Sequence, residues 1–347
     1  MKHSIITRLT ACLLCGVLLF AMAACGKDRE KAPEVKEPEP FTFNPHVYNC
    51  FLEETMGEKI HQAYDNMIDA ILEGRNSFEC PDEETYEWMF YQVPYLCFPV
   101  VAEYVDNNEL KDRYADGVGY LHYKIPVEEF KVKLEEFEKL ITDILNDAIR
   151  TDYSDIEKMA ALYRYFVDHY EYDYDTFRLM EKKSVDYIGA YHFFTKKTDV
   201  CQGISVAYSY LLMQAGVDAC VVKGGDHQWS IVRFNGKEYH IDPTFAMGTD
   251  ASLKYFLMTD EQREATGYSP KKYVYFSVYT QDHRCKKYPC TDDAYSALWD
   301  YRMVSLDHER GKLVCTETAE DTDAPEKQVE LDIGGFVSEK SESNDIS

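Results

Sequence analysis

The sequence predicts an α+β protein on three observations. Amphipathic helical stripes occupy the chain up to Ala215, a short valine-rich run follows, and an Asn-Gly pair then joins two more extended runs. Helices first and strands after is an order expected of that class. Taking the elements in turn, Ile60, Ala63, Tyr64, Met67, Ile68, Ile71 and Leu72 trace one apolar helix face that stops near Gly74. Residues 117–125, with Tyr120 and Tyr123, suit a short strand. Phe130, Leu134, Phe137, Leu140, Ile141, Ile144 and Leu145 trace a second helix after Pro126. A third starts at Ser154-Asp155-Ile156-Glu157, which has the spacing of a capping box, and buries Met159, Ala160, Tyr163, Phe166 and Val167. The fourth carries Ile204, Ala207, Tyr208, Leu211, Leu212 and Ala215 on one face and ends at Gly216. These stripes are core rather than binding surfaces.

After that helix, residues 217–222 read as a strand, and Asn235-Gly236 is the strongest short hairpin signal in the chain. With those two residues as the turn, Phe234 faces Lys237, Arg233 faces Glu238 as an ion pair, Trp229 faces Asp242 and His227 faces Thr244. Side chains alternate along strands, so His227 and Asp242 share a face as diagonal neighbours, about 7 to 8 Å apart at the backbone. A slip of one residue would put them on opposite faces.

Cys201 opens the fourth helix. In a first turn, unpaired backbone N–H groups and the positive end of the dipole favour a thiolate over a thiol, and the same groups can hold an oxyanion. His227 is then placed to present one ring nitrogen to Cys201 while Asp242 orients the other. Taken alone, each of these residues reads as ordinary structure, and only their combination points to a nucleophile.

Asp199-Val200-Cys201-Gln202-Gly203, His227-Gln228-Trp229 and Tyr239-His240-Ile241-Asp242-Pro243-Thr244-Phe245 resemble, in that order, the three motifs of the transglutaminase-like superfamily. The resemblance runs over residues 156–258, about a third of the chain, with Tyr170-Glu171-Tyr172-Asp173-Tyr174 similar to the family's lead-in. It implies a papain-like core in which a nucleophile helix packs on an antiparallel sheet. By motif, Cys201 would be nucleophile, His227 general base and acid, and Asp242 the orienting carboxylate. Gln202 and Trp229 are substrate-binding candidates and, with His192, candidates for the second oxyanion donor beside the Cys201 N–H. Asp199 stands where the family often has glycine, and Ile204 where it often has tyrosine.

His240 is the rival histidine, two residues from Asp242 and on its face. Cys201, His227, His240 and Asp242 are all possible zinc ligands, but no short paired-ligand spacing supports a closed site. No calcium loop is evident. No metal and no cofactor is therefore expected.

At the N-terminus, Lys2, His3 and Arg8 precede an apolar run over residues 9–22 that is too short for a typical membrane span. Met22-Ala23-Ala24-Cys25-Gly26 resembles a bacterial lipoprotein cleavage site, which implies lipidation of Cys25; an ordinary secretory signal with an incidental cysteine is the alternative. The expected organisation is a signal at 1–24, a lipid-anchored tether at 25–42, a mainly helical extension at 43–150 and a catalytic core at 151–260. A C-terminal extension at 261–315 and an acidic, disordered tail at 316–347 follow. That places the protein outside the cytoplasm, held by lipid to the outer face of the bacterial cytoplasmic membrane.

The chain has 347 residues and a formal charge of -25, which argues against nucleic acid as a partner, since phosphate contacts need lysine and arginine. Of the eleven cysteines, Cys12 and Cys15 fall in the signal and Cys25 is the anchor. With Cys201 set aside, seven are left, an odd number. Cys285 and Cys290 are spaced for a small disulfide loop, or are two free thiols. The expected function is acyl transfer on peptides or carboxamides through a Cys201 thioester, hydrolysis before cross-linking, with cell-wall peptide as one candidate substrate. The competing class is a noncatalytic lipoprotein whose papain-like core binds a peptide or partner.

Overall fold

The computed structural model describes residues 37–91, 93–106, 113–185, 187–276, 287–317 and 327–333. The first helices follow the apolar spacing of the sequence. Asn49 caps α1 (Cys50–Met56) by accepting from the Leu52 N–H. In α2 (Lys59–Glu73) the expected face is buried, and Gly74 at φ 74° ends it in the left-handed region. Leu72, expected on that face, lies at its margin and is 40% exposed. Next come β1 (Ser77–Glu79), α3 (Glu83–Tyr91), α4 (Val93–Cys97), α5 (Pro99–Tyr104), β2 (Tyr114–Ala115) and β3 (Val118–Tyr120). The three strands form a small antiparallel sheet in the order β1-β3-β2. The long α6 (Val127–Ala148) starts directly after Pro126 and buries Phe130, Leu134, Phe137, Ile141, Ile144 and Leu145. Both halves of the Ser154–Glu157 capping box are made at the start of α7 (Asp155–His169).

A two-residue strand β4 (Glu171–Tyr172) then leads into α8 (Tyr174–Met180) and α9 (Ala190–Lys196). β4 pairs in parallel with β5 (Thr198–Asp199), which delivers the chain to α10 (Cys201–Gln214). The expected strand after Gly216 begins two residues late as β6 (Ala219–Gly224). The hairpin of β7 (His227–Phe234) and β8 (Lys237–Ile241) has the predicted register, Phe234 opposite Lys237 and Arg233 opposite Glu238, as far as Ser230 opposite Ile241. Asn235 and Gly236 lie at φ 52° and 69°, the positive pair that matches strand twist in a two-residue turn. After α11 (Pro243–Gly248) and α12 (Asp260–Ala265), β9 (Tyr273–Tyr275) pairs with β6 and completes a four-stranded antiparallel sheet ordered β8-β7-β6-β9. The core sheet therefore does not close at residue 260. α10 lies across β6 and β7.

The chain N-terminal to the core is bonded to it. Asn44 exchanges two hydrogen bonds with the Gln214 side chain, at 2.9 and 2.7 Å, and the Asn49 amide donates to the Ala219 carbonyl at 3.2 Å. Arg233 binds Glu238 as predicted and also reaches Glu54 of α1 at 2.7 Å. At the other end, β10 (Tyr301–Asp307), β11 (Lys312–Glu317) and β12 (Gln328–Asp332) form an antiparallel meander. Much of the end from Thr316 is expected to be disordered, but residues 328–332 within it form a strand. Gln328-Val329-Glu330-Leu331-Asp332 alternates apolar and polar residues, and Leu331 sits opposite Leu313. Residues 318–326 and 334–347 lie outside the described residues, as do the signal segment, Cys25, most of the tether and Cys285. Among the described residues no helix is long and apolar enough to cross a membrane.

Replacing Gly236 by alanine forces a Cβ onto a left-handed residue and is expected to lower the unfolding free energy by about 1 kcal/mol in a urea titration. Gly248→Ala is the control, because a Cβ there meets no atom within 4 Å. It should leave stability unchanged or slightly raised.

Candidate active site

Cys201 owes its position to the two residues before it. Asp199 is buried beneath the start of α10, where one carboxylate oxygen accepts from the Val200 N–H at 2.7 Å. The other accepts from the Gly189 N–H at 3.1 Å and meets His192 Nδ1 at 3.2 Å. Burial pushes the Asp199 carboxyl above its ordinary range, against the pull of His192 and the two amides. The same carboxylate explains Gly203, since a Cβ on residue 203 would lie 2.4 Å from it. Asp199 thus imposes a local requirement for glycine at residue 203.

α10 is nearly all buried, and a polar ladder fixes it on β7. Gln228 Nε2 donates to Ser205 Oγ at 3.0 Å, and Ser230 Oγ donates to the Ser205 carbonyl at 3.2 Å. Ser209 Oγ lies 2.9 Å from Ser230 Oγ and 3.0 Å from the Cys220 carbonyl, and its single proton can be given to either. An unmade buried bond costs about 1–3 kcal/mol, so the ladder holds helix and strand in one register. Cys201 on the helix and His227 on the strand consequently meet.

His227 is 7% exposed and stacks on Phe245 with ring centroids 4.7 Å apart. Its Nε2 lies 2.7 Å from Asp242 Oδ2, so Nδ1 is the ring nitrogen left for Cys201, whose charge acts on the ring. Burial works against the imidazolium, but the charge and hydrogen bond of Asp242, together with Cys201, outweigh it and lift His227 to about 9. Asp242 is fully buried. Burial alone would raise it, yet His227, Arg263 and the Phe245 N–H hold it below the usual carboxylate range. The structure thus brings all three residues of the expected triad together in the expected order. Chemically, the arrangement can pair a thiolate with an imidazolium beside an open surface, since Cys201 is only half-buried.

Two expectations change. Trp229 is fully buried and its only donor, Nε1–H, is given to His240 Nδ1 at 3.0 Å, so it cannot serve as an oxyanion donor or touch substrate. His240 is not a rival base. An indole N–H only donates, so His240 Nδ1 is unprotonated and Nε2–H points to Asp260 Oδ1 at 2.9 Å. Burial drives the pKa of this ring down, in keeping with a neutral tautomer. Gln202 stays a candidate, half-buried at the second position of α10.

The same tautomer decides against metal. Both His240 nitrogens are committed, which removes it from the imagined set with Cys201, His227 and Asp242. Among the described residues, His240, Asp260 and Cys290 bring ligand atoms within 4.8 Å of one another. A metal on Nε2 would place the ring proton on Nδ1, facing the Trp229 N–H donor to donor, so this donor set does not fit an ion.

Sequence reading missed Arg263. It lies within Asp260-Glu261-Gln262-Arg263, which looks like an exposed helical turn, yet it is 0% exposed. Its Nη2 sits 2.8 Å from Asp242 Oδ2, and its guanidinium carbon lies 4.1 Å from the Trp229 ring centroid and 4.5 Å from that of Tyr268. Also unforeseen is an apolar surface on α8 beside the β4–β5 pair, made by Tyr174, Phe177 and Met180, all exposed. Tyr172, at its inner edge, has its phenol pushed up by burial and then by Cys201.

No family model and no curated protein matches this sequence. Among solved structures, a proposed cysteine protease from Cytophaga hutchinsonii is 16% identical with a TM-score of 0.25, covering 32% of this chain and 37% of its own. A TGase is 16% identical with a TM-score of 0.27, covering 54% of this chain and 55% of its own. The chain thus spans between about a third and about half of the length of these neighbours. Likeness of this extent assigns neither fold nor chemistry.

Two outcomes test the geometry. Gly203→Ala is expected to cost about 1–3 kcal/mol by crowding Asp199, and less in an Asp199→Ala background, a coupling readable by urea unfolding of the four proteins. His227 binds its proton more tightly folded, at about 9, than at its ordinary 6.5. Its contribution to stability is therefore full below pH 6.5 and is lost as pH rises toward 9. Unfolding measured across that window should show a downward slope that His227→Gln flattens; parallel profiles would contradict the pairing.

Proposed function

We propose that this protein is a thiol-dependent acyl-transfer enzyme of the transglutaminase-like class, acting on peptides or carboxamides and releasing the acyl group mainly to water. The observation that carries this reading is Cys201 at the first turn of a buried helix, beside a histidine that a buried aspartate holds. In the proposed reaction the Cys201 sulfur attacks the carbonyl carbon, forming a C–S bond while the carbonyl oxygen takes the negative charge. The Cys201 N–H at the start of α10 stabilises that oxygen, with Gln202 as the candidate second donor. His227 Nδ1–H passes its proton to the departing amine as the C–N bond breaks, leaving a thioester and a neutral imidazole. Water then attacks the thioester, giving a proton back to His227 and freeing the thiolate. An amine in place of water would give cross-linking by the same residues. Hydrolysis is favoured because Cys201 is partly open to solvent.

On sequence grounds, we place the enzyme outside the cytoplasm on a Cys25 lipid anchor, where cell-wall peptides are the nearest substrates of the right chemistry. The acidic chain makes nucleic acid an unsuitable partner.

Iodoacetamide below neutral pH should alkylate Cys201 ahead of the buried Cys50, Cys80, Cys97, Cys220, Cys290 and Cys315. His227→Ala should slow that labelling about 100-fold, and brief exposure to peptide substrates should leave an acyl group on Cys201 detectable by mass spectrometry. Equal slow labelling of every cysteine, in wild type and His227→Ala alike, would instead favour a binding module.

A further inference from the structure

We infer that Arg263 is a fourth member of the site, a positioning residue that acts on the Cys201–His227 pair through Asp242; the inference rests on the acyl-transfer reading above. Asp242 Oδ2 is shared. His227 Nε2 approaches it at 2.7 Å and Arg263 Nη2 at 2.8 Å, while Oδ1 is taken by the Phe245 N–H at 3.1 Å. Carboxylate and guanidinium are both 0% exposed, and a buried charge without a partner is strongly destabilising. The guanidinium is not displaced easily, because Trp229, Tyr268 and Phe245 present ring faces to it at 4.1, 4.5 and 5.3 Å.

What this does for the reaction follows from charge balance. Before attack, the interior holds thiolate, imidazolium, Asp242 carboxylate and Arg263 guanidinium, which sum to zero. After the amine leaves, sulfur is neutral as a thioester and His227 is neutral, so Asp242 and Arg263 again sum to zero. Without Arg263, both states would carry an uncompensated negative charge out of water, and Asp242 would grip the imidazolium more strongly. Loss of that cation therefore raises the pH at which His227 gives up its proton and disfavours a thiolate beside it.

Other groups facing Arg263 leave this argument intact. The phenols of Tyr163 on α7, Tyr255 before α12, Tyr268, and Tyr273 on β9 are all pushed up by burial and are neutral. His240 on β8 is driven down by burial, and Asp260 on the same helix as Arg263 is bonded to it.

The test is the pH profile of Cys201 alkylation by iodoacetamide in the full chain, compared among wild type, Arg263→Lys, Arg263→Met and the Asp242→Asn/Arg263→Met double variant. Arg263→Met should move the midpoint upward by about one pH unit, and so slow labelling about tenfold on the acid side, while Arg263→Lys stays close to wild type. Compared with Asp242→Asn alone, the double variant should shift by less than Arg263→Met shifts from wild type, because the part of the effect that runs through the carboxylate is gone. An unchanged midpoint in a folded Arg263→Met protein, even with a lower melting temperature, would overturn the inference. If that variant does not fold, Arg263→Gln takes its place. If no neutral variant folds, a displaced midpoint in Arg263→Lys overturns it. Failure of wild-type Cys201 to label faster than the other thiols would sink the acyl-transfer reading itself, a different result.

Discussion

One buried carboxylate governs how the core is put together. Asp242 directly follows β8, where its backbone N–H donates to the Tyr255 carbonyl at 2.9 Å. One side-chain oxygen caps α11 through the Phe245 N–H, and the other meets both His227 and Arg263. An ion removed so completely from water has to be surrounded by donors and positive charge, or it would take up a proton and lose its role. The need for donors explains why α11 begins where it does. The need for charge explains why a helix beyond the nominal catalytic segment returns to the site with an arginine.

The second constraint is the polar seam between α10 and β7. Ser205, Ser209, Gln228 and Ser230 interrupt an otherwise apolar contact, where leucine-like packing alone would tolerate sliding by a fraction of a turn. Hydrogen bonds inside the seam have few alternative partners, so slippage would strand them. Cys201 on one element and His227 on another need that kind of definition if a proton is to pass between them, because proton transfer depends on hydrogen-bond distances rather than on mere proximity.

What could be read in the sequence was whatever depends on short-range pattern. Asn235-Gly236 determines its own turn, and the turn determines strand parity, so the meeting of His227 and Asp242 followed from counting residues. Ser154 and Glu157 likewise predict their own cap. What could not be read depends on partners far apart in the chain. Arg263 looks like any surface arginine until the fold sets it over Trp229. The tryptophan looks like a site residue until His240 takes its N–H. Residues 328–332 were lost for a different reason, since averaging the composition of an acidic tail hides a short alternating strand inside it.

Burial also sets Cys201 apart from the other described thiols. Desolvation pushes the thiols of Cys50, Cys97 and Cys315 up to about 12 and that of Cys80 to about 11, because a thiolate buried in apolar surroundings loses its hydration. Cys290 is raised as well, by burial first and then by Asp260. Reactive sulfur chemistry is therefore suppressed through the core, and among the described residues Cys201 is the one cysteine that is not buried. An oxidising exterior would act on the same distinction. The interior thiols are shielded by the packing that holds the site together, and among the described residues the one thiol open to solvent is also the one open to oxidants. Access and vulnerability are thus a single property of the position where β5 hands the chain to α10.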